Sequence, residues 1–426
     1  MKRPENNKGS YRWVVLSGFC LLNLVVEMNW LTFAPITREC MAFYHTSAMT
    51  ILTLSMSFMV LYLFASVPAS YVIDTYGIRI GVGIGAVLTA VFGLVRGIYA
   101  SNLQMVLVSQ FALAAGQPFV LNAITKVAAT WFPARERATA NGLPVLAQFV
   151  GIIIAFLLSP LLLKQTVVGG AASYNIGHIV VFYGYASLIG AIPFLVFARS
   201  APPTLPDVGT QVEQPRFFQG MRQLLRQRDM ILLALMFFIG LGLFNAISTL
   251  VELILVPKGL GKVEAGQVGA VMMIGGVIGA GILPALSDRL QQRKALLAVC
   301  LLGLIPGLVG LTLAVSYAHL MISSFVFGFF LIGAAPIGFQ YGAEVSRPVS
   351  EATSQGMIVL AGQIGGILFI TLVGLMGHLS IESLAGVAES STNLTFFMLV
   401  FVMLSVANLF VCLMLRKHPV GGEEHR

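Results

Sequence analysis

Apolar runs of about 20 residues recur along the whole chain, and this feature restricts the possible folds more than any other. A helix of that length spans the hydrocarbon layer of a bilayer. The sequence is 57% hydrophobic and 10% charged, which leaves too few charged side chains to cover a water-soluble surface. We therefore predict an all-α integral membrane protein.

Charged residues and Gly/Pro breaks divide the chain into twelve predicted transmembrane helices. The spans are 12–38, 46–73, 80–99, 103–131, 137–163, 178–199, 229–256, 264–287, 294–316, 318–345, 353–377 and 393–415. With both termini in the cytoplasm, most lysines and arginines fall on the cytoplasmic side, as the positive-inside rule requires. The sequence thus predicts a multi-pass protein of the cell membrane, inner or plasma, with cytoplasmic termini.

The spans form two similar halves of six. Three features recur at a separation of 214 positions: Asp74 with Asp288, Ala138-Thr139 with Ala352-Thr353, and Gly142 with Gly356. A shared separation indicates parallel repeats. We predict an N-terminal six-helix bundle over 1–199, a cytoplasmic linker over 200–228 that is rich in Pro, Gln and Arg, and a C-terminal six-helix bundle over 229–426.

A charged loop follows the second span of each half, with the sequences SYVIDTYGIR and PALSDRLQQRK. Both resemble the loop signature G-x-L-x-D-R-x-G-R-R of the major facilitator superfamily, although Ser70 and Pro284 replace its leading glycine. Independently of that resemblance, a carboxylate at a helix end can pair with a basic group in one conformation and release it in another. The predicted gate residues are Asp74, Gly77, Arg79, Asp288, Arg289, Arg293 and Glu344. The alternative for the basic residues is that they serve membrane topology only.

Polar side chains inside the spans indicate a binding site. Glu27 lies near the middle of the first span, where an ionisable group costs about 2.5–3.5 kcal/mol on insertion scales. At about 100° per residue, Glu27 shares one helical face with Asn23 and Trp30. Transporter sites of this architecture lie near the midplane between the repeats. The residues predicted to line the cavity are Asn23, Glu27, Trp30, Gln117, Asn122, Gln148, Asn245, Glu252, Gln340 and Gln363.

Several of these residues have alternative roles. Intramembrane amides also join helices, which is an equal alternative for Asn122. A tryptophan can anchor a span at the interface, although Trp30 lies deep for that role. Glu27 has the alternative of pairing with a basic residue of another helix. Arg96 and Lys126 lie toward span ends, where their side chains are expected to extend to the membrane surface.

Other classes of protein lack support. The sequence contains no HExxH, GxSxG or GxxxxGK[ST] motif, which argues against an enzyme and against ATP-driven transport. The net charge of +8 comes from residues at span ends, so we expect no nucleic-acid partner. The four cysteines are far apart and have no metal-ligand spacing. We expect no cofactor or metal, and a functional monomer in the lipid bilayer.

Three segments are similar to the feline leukaemia virus subgroup C receptor-related family, solute carrier family 49. They are MNWLTFAPI, GQPFVLNAITKVAATWF and IGFQYGAEVSRPVSEATSQGM. The resemblance implies a facilitator or proton-linked carrier of choline, ethanolamine or haem, with Trp30, Gln148 and Gln363 at the ligand. The family's tyrosine in the seventh span falls at Asn245, and Glu27 stands where the relatives have a small residue.

We therefore expect a secondary active or facilitative transporter that works by alternating access on a small organic solute. The first hypothesis is an organic cation such as choline or ethanolamine, because Glu27 adds charge beside the aromatic ring of Trp30. The alternative is proton-coupled efflux of an amphipathic or haem-like compound, since a buried carboxylate is also suited to carry a proton. A third hypothesis is a receptor or sensor that moves no solute.

Overall fold

A computed structural model of the chain describes residues 6–168, 171–199, 217–346, 349, 351–381 and 387–416. Twelve helices in this part of the chain are long and apolar enough to cross a membrane, which confirms the predicted fold class. The chain folds as two compact units, Met1–Gln211 and Val212–Arg426. Most of the predicted linker, residues 200–216, lies outside the described residues.

The first unit consists mainly of long helices. In chain order they are α1 (Asn6–Trp30), α2 (Thr37–Tyr44), α3 (Ala48–Ile98), α4 (Leu103–Leu121), α5 (Ile124–Trp131), α6 (Arg137–Leu162) and α7 (Ile176–Phe197). Single 3-10 turns cover Ala34–Ile36 and Ala134–Glu136. The strands β1 (Gln165–Val168) and β2 (Ala171–Tyr174) form an antiparallel hairpin in which Gln165 pairs with Tyr174.

The second unit has the same kind of construction. Its helices are α8 (Phe217–Leu224), α9 (Arg228–Thr249), α10 (Val251–Leu255), α11 (Lys262–Leu290), α12 (Arg293–Leu313), α13 (Tyr317–Val345), α14 (Glu351–Ile381) and α15 (Val387–Leu413), with a 3-10 turn at Val256–Lys258. The short α8 lies within the segment predicted as linker. It forms because one side of it is apolar and packs on α14, where Gly220 lies against Val349 and Thr353.

The helices of the two units pack in the same order. In the first unit α1 packs on α6 and α7, and α3 packs on α4 and α7. In the second unit α9 packs on α14 and α15, while α13 packs on α11 and α12 and α12 packs on α15. Counted as spans, the first helix of each unit contacts the fifth and the sixth. The packing therefore follows the repeat that the sequence shows.

Two glycines let the first and fifth spans of each unit approach closely. A methyl group on Gly151 of α6 would collide with the backbone carbonyl of Leu24 in α1. A methyl group on Gly365 of α14 would collide with the backbone carbonyl of Phe238 in α9. Both glycines and both carbonyls are separated by 214 positions. Any larger side chain would push these helices apart, and with them the polar residues described below.

Helix breaks explain where the observed spans depart from the predicted ones. The helix α3 joins two spans through Gly77, whose φ is 83°, and the equivalent position Gln291 also has a positive φ, 55°. The first span of each unit is broken in its second half: α1 ends at Trp30, and Leu250 separates α9 from α10. Apolar periodicity continues through these breaks, so the sequence pattern does not reveal them.

Candidate functional site

Glu27 is a buried carboxylate bound by an amide. It lies on α1 with 5% of its surface exposed, and Gln117 of α4 is 6% exposed. Gln117 donates from Nε2 to Oε1 of Glu27 at 2.7 Å. Among the described residues, no lysine or arginine forms an ion pair with this carboxylate. The hydrogen-bond partner of this carboxyl group is therefore a neutral amide.

Trp30 is a buried aromatic residue at the C-terminal end of α1. It is the last residue of the helix, lies one turn after Glu27 and is 5% exposed. Because residues three apart on a helix are neighbours, the ring and the carboxylate belong to adjacent parts of one surface. The structure thus buries an aromatic ring and an acidic group together within the first unit.

A second amide pair lies one turn earlier on α1. Gln148 of α6 donates from Nε2 to Oδ1 of Asn23 at 2.8 Å, and Asn23 donates to the backbone carbonyl of Phe19 at 2.9 Å. The close approach at Gly151 places Gln148 within reach, since the two residues are three apart on α6. Two polar residues of α1 therefore have amide partners on other helices: Asn23 binds Gln148 of α6, and Glu27 binds Gln117 of α4.

The second unit has a similar amide pair between its first and fifth spans. Asn245 of α9 donates from Nδ2 to Oε1 of Gln363 of α14 at 3.3 Å. These helices are the repeat partners of α1 and α6, and Gly365 permits their close approach. Glu252 lies in the short helix α10, beyond the break at Leu250, and is 1% exposed. Asn245 and Gln363 thus join the same two spans as Asn23 and Gln148 do, although the paired residues are 222 and 215 positions apart and not 214.

Two further residues predicted for the cavity bind other side chains. Asn122 ends α4 and joins it to α3: it accepts from the hydroxyl of Tyr62 at 2.9 Å and donates to the hydroxyls of Ser66 and Ser70 at 3.0 Å. Gln340 is exposed and donates to Glu344 at 3.4 Å. The amide of Asn122 is therefore occupied in holding two helices, and Gln340 belongs to the predicted gate.

The predicted gate of the first unit has an unexpected cation. Asp74 pairs with Lys126 of α5, with 2.9 Å between Oδ1 and Nζ. Lys126 also donates to the backbone carbonyl of Ile73 at 2.8 Å. Arg79 is exposed and forms no ion pair within the described part of the chain. The cation beside Asp74 is therefore Lys126 and not Arg79.

Three of the residues predicted as the gate of the second unit form a cluster. Arg293 donates from Nη1 to Oδ1 of Asp288 at 2.8 Å and from Nε to Oε1 of Glu344 at 2.5 Å. Arg293 is 8% exposed, whereas Arg289 is exposed. Arg293 is the repeat equivalent of Arg79. The arginine at this repeat position therefore pairs with acidic groups in one unit and not in the other.

Sequence reasoning was wrong about Arg96. Its side chain was expected to extend to the membrane surface, yet it is 0% exposed. Its guanidinium donates to the side-chain oxygens of Asn29 and Gln110, both of which are also fully buried. A basic residue inside an apolar run was the available signal, but the sequence does not show which helices would surround it.

No metal site is evident in the described ranges, where no group of three or more His, Cys, Asp or Glu side chains converges. The predicted site residues supply two carboxyl groups, several amides and an aromatic ring. Such a set can bind a cation or a hydrogen-bonding solute without breaking a covalent bond. The arrangement is suited to recognition of a solute.

Comparisons with known proteins identify the family of this chain. Residues 19–370 match the sequence profile of the Major Facilitator Superfamily. Solute carrier family 49 member A3 of Danio rerio is 32% identical over 415 residues, covering 94% of this chain and 86% of the relative. The chain belongs to the solute carrier 49 family of the major facilitator superfamily. This solute carrier is therefore a multi-pass membrane transporter and not an enzyme.

Further relatives and a solved structure resemble this solute carrier. A choline/ethanolamine transporter of Danio rerio, flvcr2b, is 29% identical over 387 residues, which are 87% of this chain and 79% of the relative. The crystal structure of a bacterial homologue of the human lysosomal transporter Spinster has a TM-score of 0.76 at 16% identity, covering 96% of this chain and 99% of that one. The structural similarity supports the fold alone.

Proposed function

We propose that this solute carrier transports a small organic cation of the choline or ethanolamine type by alternating access. In this proposal the carboxylate of Glu27 supplies the opposite charge and the ring of Trp30 supplies a π face. The observation that carries the proposal is the buried carboxylate of Glu27, which has an amide partner and no basic one in the described residues.

A cationic solute would offset the cost of burying this charge. An uncompensated carboxylate in a spanning helix is unfavourable by several kcal/mol, about 2.5–3.5 on insertion scales. A quaternary ammonium group has no N–H to donate, so it is recognised by charge and by an aromatic face. Desolvated cation–π contacts contribute about 2 kcal/mol. Glu27 and Trp30 together supply both elements.

Gln117 supports this role by orienting the carboxylate. Its amide holds Oε1 of Glu27 at 2.7 Å, and within the described structure no donor is bonded to Oε2. One oxygen of Glu27 is then positioned while the other is available to a ligand. The hydroxyl of choline or the ammonium of ethanolamine could also bond to a side-chain amide, for which we propose Asn23 and Gln148.

The same proposal extends to the second unit and to the membrane. We propose Asn245, Gln363 and Glu252 as further substrate-binding residues. The relatives that are named choline/ethanolamine transporters support the substrate class, although Asn245 replaces an aromatic residue expected from the family resemblance. We further propose a monomer in the plasma membrane or bacterial inner membrane with cytoplasmic termini.

Uptake into proteoliposomes tests this function. Purified protein is reconstituted and given radiolabelled choline, ethanolamine, an amino acid, a carboxylate and haem, each with and without an imposed pH gradient. We expect saturable uptake of choline or ethanolamine, with Glu264→Gln at the exposed start of α11 as the control carboxylate variant. Uptake of anions alone, or no flux of any solute, would overturn the proposal.

The pH gradient separates the two hypotheses for Glu27. If choline or ethanolamine accumulates without a gradient effect, Glu27 acts as a substrate-binding charge. If a pH gradient drives net export of an amphipathic compound and Glu27→Gln abolishes it while counterflow persists, the carboxylate carries a proton and the efflux hypothesis replaces ours. The two results are mutually exclusive for a given solute.

A further inference from the structure

The strongest additional feature is a buried cation that the proposed transport site does not use. Arg96 lies near the end of α3 and is fully buried. An arginine stays charged in proteins, so burial does not neutralise it. In the described part of the chain it forms no ion pair with a carboxylate; its hydrogen-bond partners are the amide oxygens of Asn29 and Gln110. The ring of Phe33 lies 5.5 Å from the guanidinium carbon.

A buried charge with neutral partners needs a physical reason, because charges buried without a counter-ion are strongly disfavoured. The reason is the end of α1. This helix stops at Trp30, so the carbonyl groups of its last turn lack their helical partners and the negative end of its dipole lies there. A cation at this place is stabilised by the dipole, and the amide oxygen of Asn29 accepts its hydrogen bond.

The side-chain oxygen, the side-chain nitrogen and the backbone carbonyl of Asn29 all form hydrogen bonds. Its Oδ1 accepts from Arg96, and its Nδ2 donates to Val25 O at 2.6 Å and to Ser187 Oγ at 2.8 Å. Its backbone carbonyl accepts from Nε2 of Gln110 at 3.2 Å. Three of these four bonds join Asn29 to α3, α4 and α7, and the fourth lies within α1, so three other helices hold one residue of α1. Such a buried hydrogen-bond network restricts the movement of Asn29.

In the sequence, Asn29 stands between the proposed binding residues Glu27 and Trp30, but it lies on another side of α1. At about 100° per residue, Asn29 lies roughly 200° around α1 from Glu27 and 100° from Trp30. Holding Asn29 against α3, α4 and α7 therefore determines the direction in which Glu27 and Trp30 point. Rotation of α1 by even a few tens of degrees would move both groups together.

We infer that Arg96 is a positioning residue: it anchors the end of α1 through Asn29 and thereby sets the orientation of the face that carries Glu27 and Trp30. A lysine would be a poor replacement. The planar guanidinium donates to Asn29 and Gln110 from two separate nitrogens, whereas a lysine presents a single point charge on a flexible stem. The effect on substrate rests on the proposed function, but the effect on the position of Trp30 does not.

The test uses Trp30 as its own reporter. In a Trp13→Phe/Trp131→Phe background, Trp30 is the remaining tryptophan, since the chain contains three. We expect Arg96→Gln to shift the ligand-free emission of Trp30 to longer wavelength and to increase its quenching by acrylamide. We also expect the KM for choline to rise roughly tenfold with a smaller change in maximal rate, as for a misplaced binding group. Arg96→Lys should lie between Arg96→Gln and the arginine parent.

A second variant separates positioning from stability. Arg96→Met/Asn29→Leu replaces both members of the Arg96–Asn29 hydrogen bond by apolar side chains. We expect this double variant to be thermally more stable than Arg96→Gln. We expect its Trp30 emission and choline KM to remain altered. Ser405→Ala, which removes a buried bond of 2.9 Å to the carbonyl of Phe401 within α15 of the second unit, serves as the control and should leave both readouts unchanged.

The outcomes are decisive in either direction. Unaltered Trp30 emission and quenching in folded Arg96→Gln and in the double variant would overturn the inference, because α1 would then hold its orientation without Arg96. Recovery of the parental KM together with stability in the double variant would also overturn it, since the role would be structural only. If choline is not transported at all, altered Trp30 emission alone supports the positioning role while the proposed substrate is rejected.

Discussion

Gln117 donates a hydrogen bond of 2.7 Å to Glu27, and the two residues lie 90 positions apart in the sequence. The bond joins α1 to α4 inside the first unit. It satisfies one oxygen of a buried carboxyl group with a neutral donor, and in our proposal a cationic solute supplies the opposite charge.

Replacement of Glu27 by glutamine tests the charge with little change of shape. The amide can still accept from Gln117, so the fold should be kept, while the attraction for a cationic solute is lost. We expect the KM for choline to rise roughly tenfold or more, because interactions with a charged group contribute about 1.5–3 kcal/mol. Initial uptake rates measure it, and Glu264→Gln is the control. An unchanged KM would remove Glu27 from the substrate.

Substitutions of Trp30 test the aromatic contribution. Trp30→Phe keeps a ring of weaker attraction and should weaken choline binding moderately, whereas Trp30→Ala should weaken it by about 30-fold, equivalent to about 2 kcal/mol. The neutral tert-butyl analogue of choline should show a much smaller difference between the two variants. Equal losses for both ligands would mean that Trp30 contributes packing and not cation–π attraction.

The loops after the second spans should respond differently in the two units. Lys126→Ala removes the partner of Asp74, and Arg79→Ala removes an exposed arginine. Since Asp74 is largely exposed, we expect the stability loss from Lys126→Ala to be small, about 0–1 kcal/mol, and that from Arg79→Ala to be smaller still. Arg293→Ala should cost more, because Arg293 is buried between two carboxylates. Thermal unfolding in detergent ranks the three, and a larger loss for Arg79→Ala contradicts the structural pairing.

The two positive-φ positions supply a matched pair of backbone variants. Gly77→Ala places a side chain at φ 83°, so we expect destabilisation of about 1 kcal/mol or more although no atom blocks the new methyl group. Gln291→Gly relieves the same conformation at φ 55° and should be neutral or slightly stabilising. Melting temperatures check both. A Gly77→Ala protein as stable as its parent would contradict the predicted strain.

Lys258 gives a pH dependence. It lies between spans and donates to the carbonyls of Leu311, Thr312 and Ala314 at 2.6–3.1 Å. Desolvation by burial lowers its pKa from 10.5 to about 8. Between these two values the unfolded chain binds a proton that the folded chain lacks, so this group makes stability rise with pH across that window. Below about pH 8 Lys258 is protonated in both the folded and the unfolded chain, so the cost of burying its charge lowers the stability in full.

The measurement for Lys258 is thermal unfolding from pH 7 to pH 11 in parallel with Lys258→Met. We expect the difference in stability between parent and variant to change in favour of the parent as pH rises. A difference that is independent of pH across this range would contradict the lowered pKa. The control is Lys262→Met, a substitution at the first residue of α11.

The twelve spans and the repeat were predictable, but the partners of individual residues were not. The length of each apolar run and the positions of the charges at its ends suffice to predict the spans. The predicted span 229–256 nevertheless breaks at Leu250, where the residues remain apolar. The spacing of Asn245 and Glu252 in the sequence predicted that they share one side of the span. The bond from Asn245 to Gln363 was not predictable, because it depends on how closely α9 and α14 approach.

For the charged residues too, the sequence indicated the position in the span but not the partner. Asp74 was recognised from its loop, yet its cation comes from Lys126 on α5 and not from Arg79 five positions away. Arg96 stands near the end of a span, where most arginines extend to the surface, and it turns inward because α1 ends beside it. A single sequence contains no information about which helix end lies next to which side chain.

The sequence by itself therefore determined the membrane-spanning class, the number of helices and the two-fold repeat. These follow from the bilayer, which requires each apolar segment to satisfy its backbone internally and so to form a helix. Only the tertiary structure decided that Glu27 binds Gln117, that Asp74 binds Lys126 and that Arg96 holds Asn29. Hydrogen bonds depend on distances of a few tenths of an ångström between residues far apart in the chain, and helix packing sets those distances.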